Sequence, residues 1–121
     1  MKLKVQIKEN EYFIKLLSFL NNIPPFNELT KQELHVLAAL LELNYKYRKV
    51  PFLERSKLLF STASRKVIVK MLDIHYNNLY NLLQRLRSKG FIQMDKGQII
   101  LNPKYALDKT ATLTVLFEDE E

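Results

Sequence analysis

The sequence predicts a mainly α-helical chain with a small β component, an α+β fold, and three observations carry that prediction. Apolar residues recur at helical spacing through most of residues 11–88, strict alternation is confined to short stretches near the ends, and the only two glycines in 121 residues, Gly90 and Gly97, both fall late. The length suits one domain, 1–121, with little room for a second. Hydrophobic residues at 47% and charged residues at 26% are ordinary for a globular chain, and the absence of Cys excludes a disulfide framework or thiol chemistry.

Leu3, Val5 and Ile7 alternate with Lys2, Lys4, Gln6 and Lys8, which predicts a half-buried first strand over residues 3–7. From residue 11 to 20, Tyr12, Phe13, Ile14, Leu16, Leu17, Phe19 and Leu20 nearly encircle a helix, which predicts burial in the core or in a dimer interface. Asn21, Asn22, Ile23, Pro24 and Pro25 stop it. Thr30 and Glu33 stand at the spacing of a capping box, so a second helix starts there. Leu34, Leu37, Ala38 and Leu41 make its core stripe, and Val36, Leu40 and Leu43 a second apolar side. Residues 45–50 read as a basic connector, Pro51 suits the first turn of a short helix ending near Phe60, and Ser61 or Thr62 caps the next one.

With Gly so rare, each glycine is expected where the backbone needs positive φ. Gly90 follows a basic helix end, and Gly97 sits in Asp95-Lys96-Gly97 between two apolar runs, as a hairpin turn would. A two-stranded ribbon over residues 91–94 and 98–101 follows, closed by Asn102 and Pro103. A last strand is expected over residues 110–117, before an acidic end of Glu118, Asp119, Glu120 and Glu121 that either solubilises the chain or competes for a basic patch. The organisation within 1–121 is therefore 1–55 for core or dimerisation, 56–102 for the ribbon and the helices before it, and 103–121 for the last strand and tail.

The net charge of +6 is unevenly placed. Residues 45–104 hold 13 Lys and Arg against 3 Asp and Glu, and the remainder 6 against 10. A segment this basic suits a polyanion, most often nucleic acid, although a solvated Lys-rich surface gives the same count. No paired acids, nucleophile with its base, Gly-rich loop or metal-ligand cluster is visible, so the chain is not expected to be an enzyme, and neither a cofactor nor a metal is expected. The charged, alternating start differs from a secretory signal, and the apolar runs near residues 36–41 and 111–117 are too short to span a bilayer. A cytoplasmic protein without membrane association is the expectation.

Within residues 67–92, Ile68 and Leu72 lie one helical turn apart, Ile74 falls past a helix end, and Leu79, Leu82, Leu83 and Leu86 restart a helical stripe. Two helices joined by a tight turn at residues 73–75 point all seven side chains into one small core, which is a helix-turn-helix. The ribbon after Gly90 adds a wing.

This segment resembles the winged helix-turn-helix DNA-binding proteins, including MarR-like and phage or plasmid regulators. They share Leu-x-Ile (Leu72, Ile74), a polar turn, a helix ending in Leu-x-x-x-Gly-Phe-Ile (Leu86, Gly90, Phe91, Ile92) and a wing. The resemblance covers residues 56–101. It implies that helix 76–89 enters the major groove, that residues 67–72 cross the backbone, and that the wing brings Lys96 to phosphate or the minor groove. Asp73 stands where the family usually has Gly, a change that Asp tolerates, and Val69 where a small residue is common.

On helix 76–89 the side opposite the leucines carries Asn77, Asn81, Gln84 and Ser88, flanked by Asn78, Tyr80 and Arg85. Amides, unlike the Glu and Lys of an ordinary solvated face, pair bidentately with adenine, and Arg with guanine. Asn77, Asn78, Asn81, Gln84 and Arg85 are the candidate base readers. A generally Asn-rich composition is the competing explanation. Arg65, Lys66, Lys70, Tyr76, Tyr80, Arg87, Lys89 and Lys96 are candidate phosphate contacts. Against this, Arg85, Arg87 and Lys89 would also suit any helix C-terminus, and a Tyr is more often at a core edge. His75 reads as a polar turn residue and His35 as structural.

The leading expectation is a sequence-specific double-stranded-DNA-binding protein that regulates transcription or replication, with a homodimer implied by the two half-sites such proteins often read. The alternative is a structural or adaptor protein that uses the same fold for protein assembly, for example in a phage particle or replication complex.

Overall fold

The computed structural model describes residues 12–106, and the strands expected at 3–7 and 110–117, with the acidic end, lie outside the described residues. Five helices precede one antiparallel hairpin: α1 (Tyr12–Leu20), α2 (Lys31–Lys46), α3 (Phe52–Leu59), α4 (Thr62–Leu72), α5 (Tyr76–Ser88), β1 (Ile92–Asp95) and β2 (Gln98–Leu101). Single 3-10 turns at Phe26–Glu28 and Pro103–Tyr105 complete the path. The chain is mainly helical with a small two-stranded sheet.

α2 is the centre of the packing. Its capping box forms: the Thr30 hydroxyl accepts from the Glu33 amide at 3.2 Å, and the Glu33 carboxylate accepts from the Thr30 amide at 2.9 Å. Val36, Leu37, Leu40, Leu41 and Leu43 are all buried, because α1, α3, α4 and α5 each pack against this helix. α1 differs from the expectation of all-round burial. Only Phe13, Leu16 and Leu17 are buried, and Phe19 is 68% exposed. Among the described helices α1 packs against α2, so a single face is covered.

Pro51 stands just before α3, at its N-cap, and the first turn begins at Phe52. α4 starts at Thr62 because Ser61 is its cap: the Ser61 hydroxyl accepts from the Ser64 amide at 3.3 Å and donates to Leu58 O at 2.6 Å. α4 ends at Asp73, which takes the left-handed conformation (φ 53°, ψ 54°). Ile68, Leu79, Leu82, Leu83 and Leu86 are buried, with Leu72 and Ile74 packed against them, so the seven residues singled out by spacing share one core.

Candidate nucleic-acid interface

α5 and the hairpin are joined by backbone geometry that fixes where each points. At the end of α5 the Phe91 amide donates to Leu86 O (2.9 Å) and the Gly90 amide to Arg87 O (3.1 Å), with Gly90 at φ 89°. This is a Schellman closure: glycine takes the left-handed residue, and Leu86 and Phe91 are both fully buried. It also explains why β1 starts at Ile92, one residue later than expected. In the hairpin, Asp95 pairs with Gln98, and Lys96 (φ 51°) and Gly97 (φ 79°) form a two-residue turn with both φ positive, the type I′ geometry that matches strand twist.

α5 buries Leu79, Leu82, Leu83 and Leu86 and leaves Tyr76, Asn77, Tyr80, Asn81, Gln84, Arg85, Arg87 and Ser88 exposed. Four of the five candidate base readers, Asn77, Asn81, Gln84 and Arg85, therefore stand on the open side. Asn78 is half-buried, because its place on the helix is the flank that also carries Lys89, away from the centre of the exposed stripe. Tyr76 and Tyr80 are exposed rather than set into a core edge. Lys66 and Lys70 are exposed on α4 and Lys96 at the hairpin tip. Arg65 is half-buried, and its Nε has no hydrogen-bond partner among the described residues.

Lys89 departs from the expectation of a free phosphate contact. Its Nζ lies 2.5 Å from Glu33 Oε1 and 2.6 Å from Glu28 O, so its charge is engaged inside the protein. Glu33 is 1% exposed. Burial opposes its ionisation, but the Lys89 hydrogen bond, the Thr30 amide, the Lys89 charge and the Thr30 hydroxyl together hold the carboxyl below its usual value. The capping-box spacing revealed Glu33, but nothing in the sequence pairs it with a lysine 56 positions away.

Sequence reasoning also passed over Gln93, exposed on β1 beside the basic tip. A half-open cavity of roughly 420 Å³ lies between α1, α2 and the end of α4, lined by Ile14, His35, Ala38, Ala39 and Met71 among others, none of them on α5. There burial, followed by the charge of Lys31, holds the His35 imidazole below its usual value. Among the described residues no helix is long and apolar enough to cross a membrane, and no group of three or more His, Asp and Glu gathers as a metal site would. No family model, curated protein or solved structure matches this chain.

Proposed function

We propose that this chain is a winged helix-turn-helix protein that binds double-stranded DNA sequence-specifically, as a regulator of transcription or replication, with α5 in the major groove. The observation that carries the reading is the outer face of α5, where Asn77, Asn81, Gln84 and Arg85 are exposed along successive turns while the opposite face is buried. From Asn77 to Arg85 the helix rises about 12 Å, the length of three to four base steps. Amides and one guanidinium along that line suit adenine and guanine edges. Lys66, Lys70, Arg87 and Lys96 around it supply positive charge for phosphate, and the left-handed turn at Asp73 gives α4 and α5 a tight connection of three residues.

Selection from random duplexes followed by salt titration tests this. The expected result is an enriched motif containing adenine, with log affinity falling against log salt at a slope of roughly −4 for four phosphate contacts. Asn77→Ala with Asn81→Ala should cost about 1–3 kcal/mol of discrimination per lost bidentate pair and leave the slope unchanged. Flat salt dependence, or the same affinity in the double variant, overturns base reading by this helix. A second reading, protein assembly, is favoured by Phe19 and Leu53, which stand 68% and 59% exposed on α1 and α3. A stable complex in light scattering with no DNA shift at low salt would select it.

A further inference from the structure

We propose that Glu33 and Lys89 form a joint that sets the heading of α5, making Lys89 a positioning residue rather than a phosphate contact. The proposal rests on the reading of α5 as the DNA-reading helix. Lys89 is the C-cap residue of α5, directly after Ser88, and its side chain, 27% exposed, points back to the start of α2. There Glu33 Oε1 accepts from both the Thr30 amide (2.9 Å) and Lys89 Nζ (2.5 Å), and the same Nζ donates to Glu28 O at 2.6 Å. Two of the three ammonium donors are thus spent, one on the first turn of α2 and one on the end of the 3-10 turn at Phe26–Glu28 that precedes it. Moving Lys89 to a phosphate would strand a buried carboxylate without its counter-charge, which is strongly unfavourable.

The other side of the same junction is held by Asn102. Its Nδ2 donates to Gly90 O at 2.8 Å and its backbone amide to Phe91 O at 2.9 Å. The residues linking α5 to β1 are therefore gripped from α2 by Lys89 and from the hairpin end by Asn102. The leverage is large. Asn77 lies twelve residues before Lys89 in the sequence, so about 18 Å along the axis, and a 10° swing about the joint would displace it by about 3 Å, close to one base step. A contact at the C-terminal end of α5 thereby governs the register of the base readers at its N-terminal end.

The experiment uses the full chain with Lys89→Met and Glu33→Gln, singly and together, and with Lys96→Ala as a phosphate control. Gln at 33 still accepts the Thr30 amide, so the cap survives while the charge is lost. Two quantities are read: affinity for the selected duplex as a function of salt, and hydrogen exchange of the α5 amides in free protein. Lys89→Met and Glu33→Gln should each weaken binding by about tenfold, a change of about 1.4 kcal/mol, with the salt slope of the parent chain and faster α5 exchange. Their effects should not add. Lys96→Ala should reduce the slope by about 0.9.

A phosphate role for Lys89 gives opposite results: a shallower slope in Lys89→Met, and equal or tighter binding in Glu33→Gln, which would free the ammonium. Either outcome overturns the joint. If the parent chain binds no duplex, the DNA reading fails while the exchange measurement still decides the joint, because unchanged α5 exchange in both variants overturns it.

Discussion

Among the described residues α2 and α5 are the two longest helices and share one core, yet they meet their neighbours in opposite ways. α2 buries nine of its sixteen residues, including Ala38, Ala39 and Leu40, whereas α5 buries four of its thirteen, all leucines on one side. A helix surrounded by neighbours can tolerate little change anywhere. A helix covered on one side can vary the other without cost to the fold, and that is where Asn77, Asn81 and Gln84 stand. Packing is thus concentrated in α2, while α5 keeps an uncommitted outer face.

The largest expected effect breaks that division deliberately. Leu37 on α2 is fully buried, and Leu37→Ala should cost about 2–5 kcal/mol through lost burial and the cavity left behind. Asn81→Ala, on the exposed face of α5, should change stability by no more than about 0.5 kcal/mol. Urea unfolding of both variants measures the contrast. A comparable loss in Asn81→Ala would mean that the face of α5 is part of the structure and not free for a ligand.

The same contrast explains what was legible in the sequence. Spacing alone placed Ile68, Leu72, Ile74, Leu79, Leu82, Leu83 and Leu86 in one core, because helical periodicity reports which face is covered. Local chemistry placed the Thr30 cap and the positive φ of Gly90 and Gly97, since each depends on neighbours within a few residues. Two things were not legible. α1 is apolar nearly all round, but burial depends on how many neighbours reach a helix, and among the described residues the packing of α1 leaves Phe19 largely exposed. Lys89 looked like any cation at a helix end, and its partnership with Glu33 is made by the fold, across α2 and α5. Of the candidate site, the exposed stripe on α5 was readable from periodicity, while the half-burial of Asn78 and Arg65 required the packing of neighbouring elements.

An intermediate effect concerns acid. Glu33 and His35 sit on α2 two residues apart, and the folded chain lowers both pKa values. For Glu33, the lowered folded value means that its stabilisation is complete above the unfolded carboxylate value near 4.5 and is lost as the pH falls through the folded value. For His35, which shares its cavity lining with Lys15 and Glu42, the neutral form is favoured on folding. Its penalty is absent above the unfolded imidazole value of 6.5 and grows as the pH falls toward the lower folded one. Stability should therefore decline in two steps between neutral and acid pH. His35→Asn should remove the upper step and Glu33→Gln the lower one, as followed by melting temperature against pH. One unbroken decline shared by both variants would contradict these assignments.

The smallest effect compares the starts of α4 and α5. Ser61 and His75 hold nearly the same extended cap conformation (φ −71°, ψ 163° and φ −78°, ψ 153°), but Ser61 accepts from the Ser64 amide while His75 makes no side-chain cap bond. The backbone of α5 is thus already shaped for a cap that its residue does not supply. His75→Ser places a hydroxyl where it can accept from the Asn78 amide, and should stabilise the chain by about 1 kcal/mol. The gain would appear as a melting temperature higher by several degrees, with α5 exchange slowed at its first turn. No rise would show that the first-turn amides of α5 are already satisfied, and that its N-terminal end is as fully supported as that of α4.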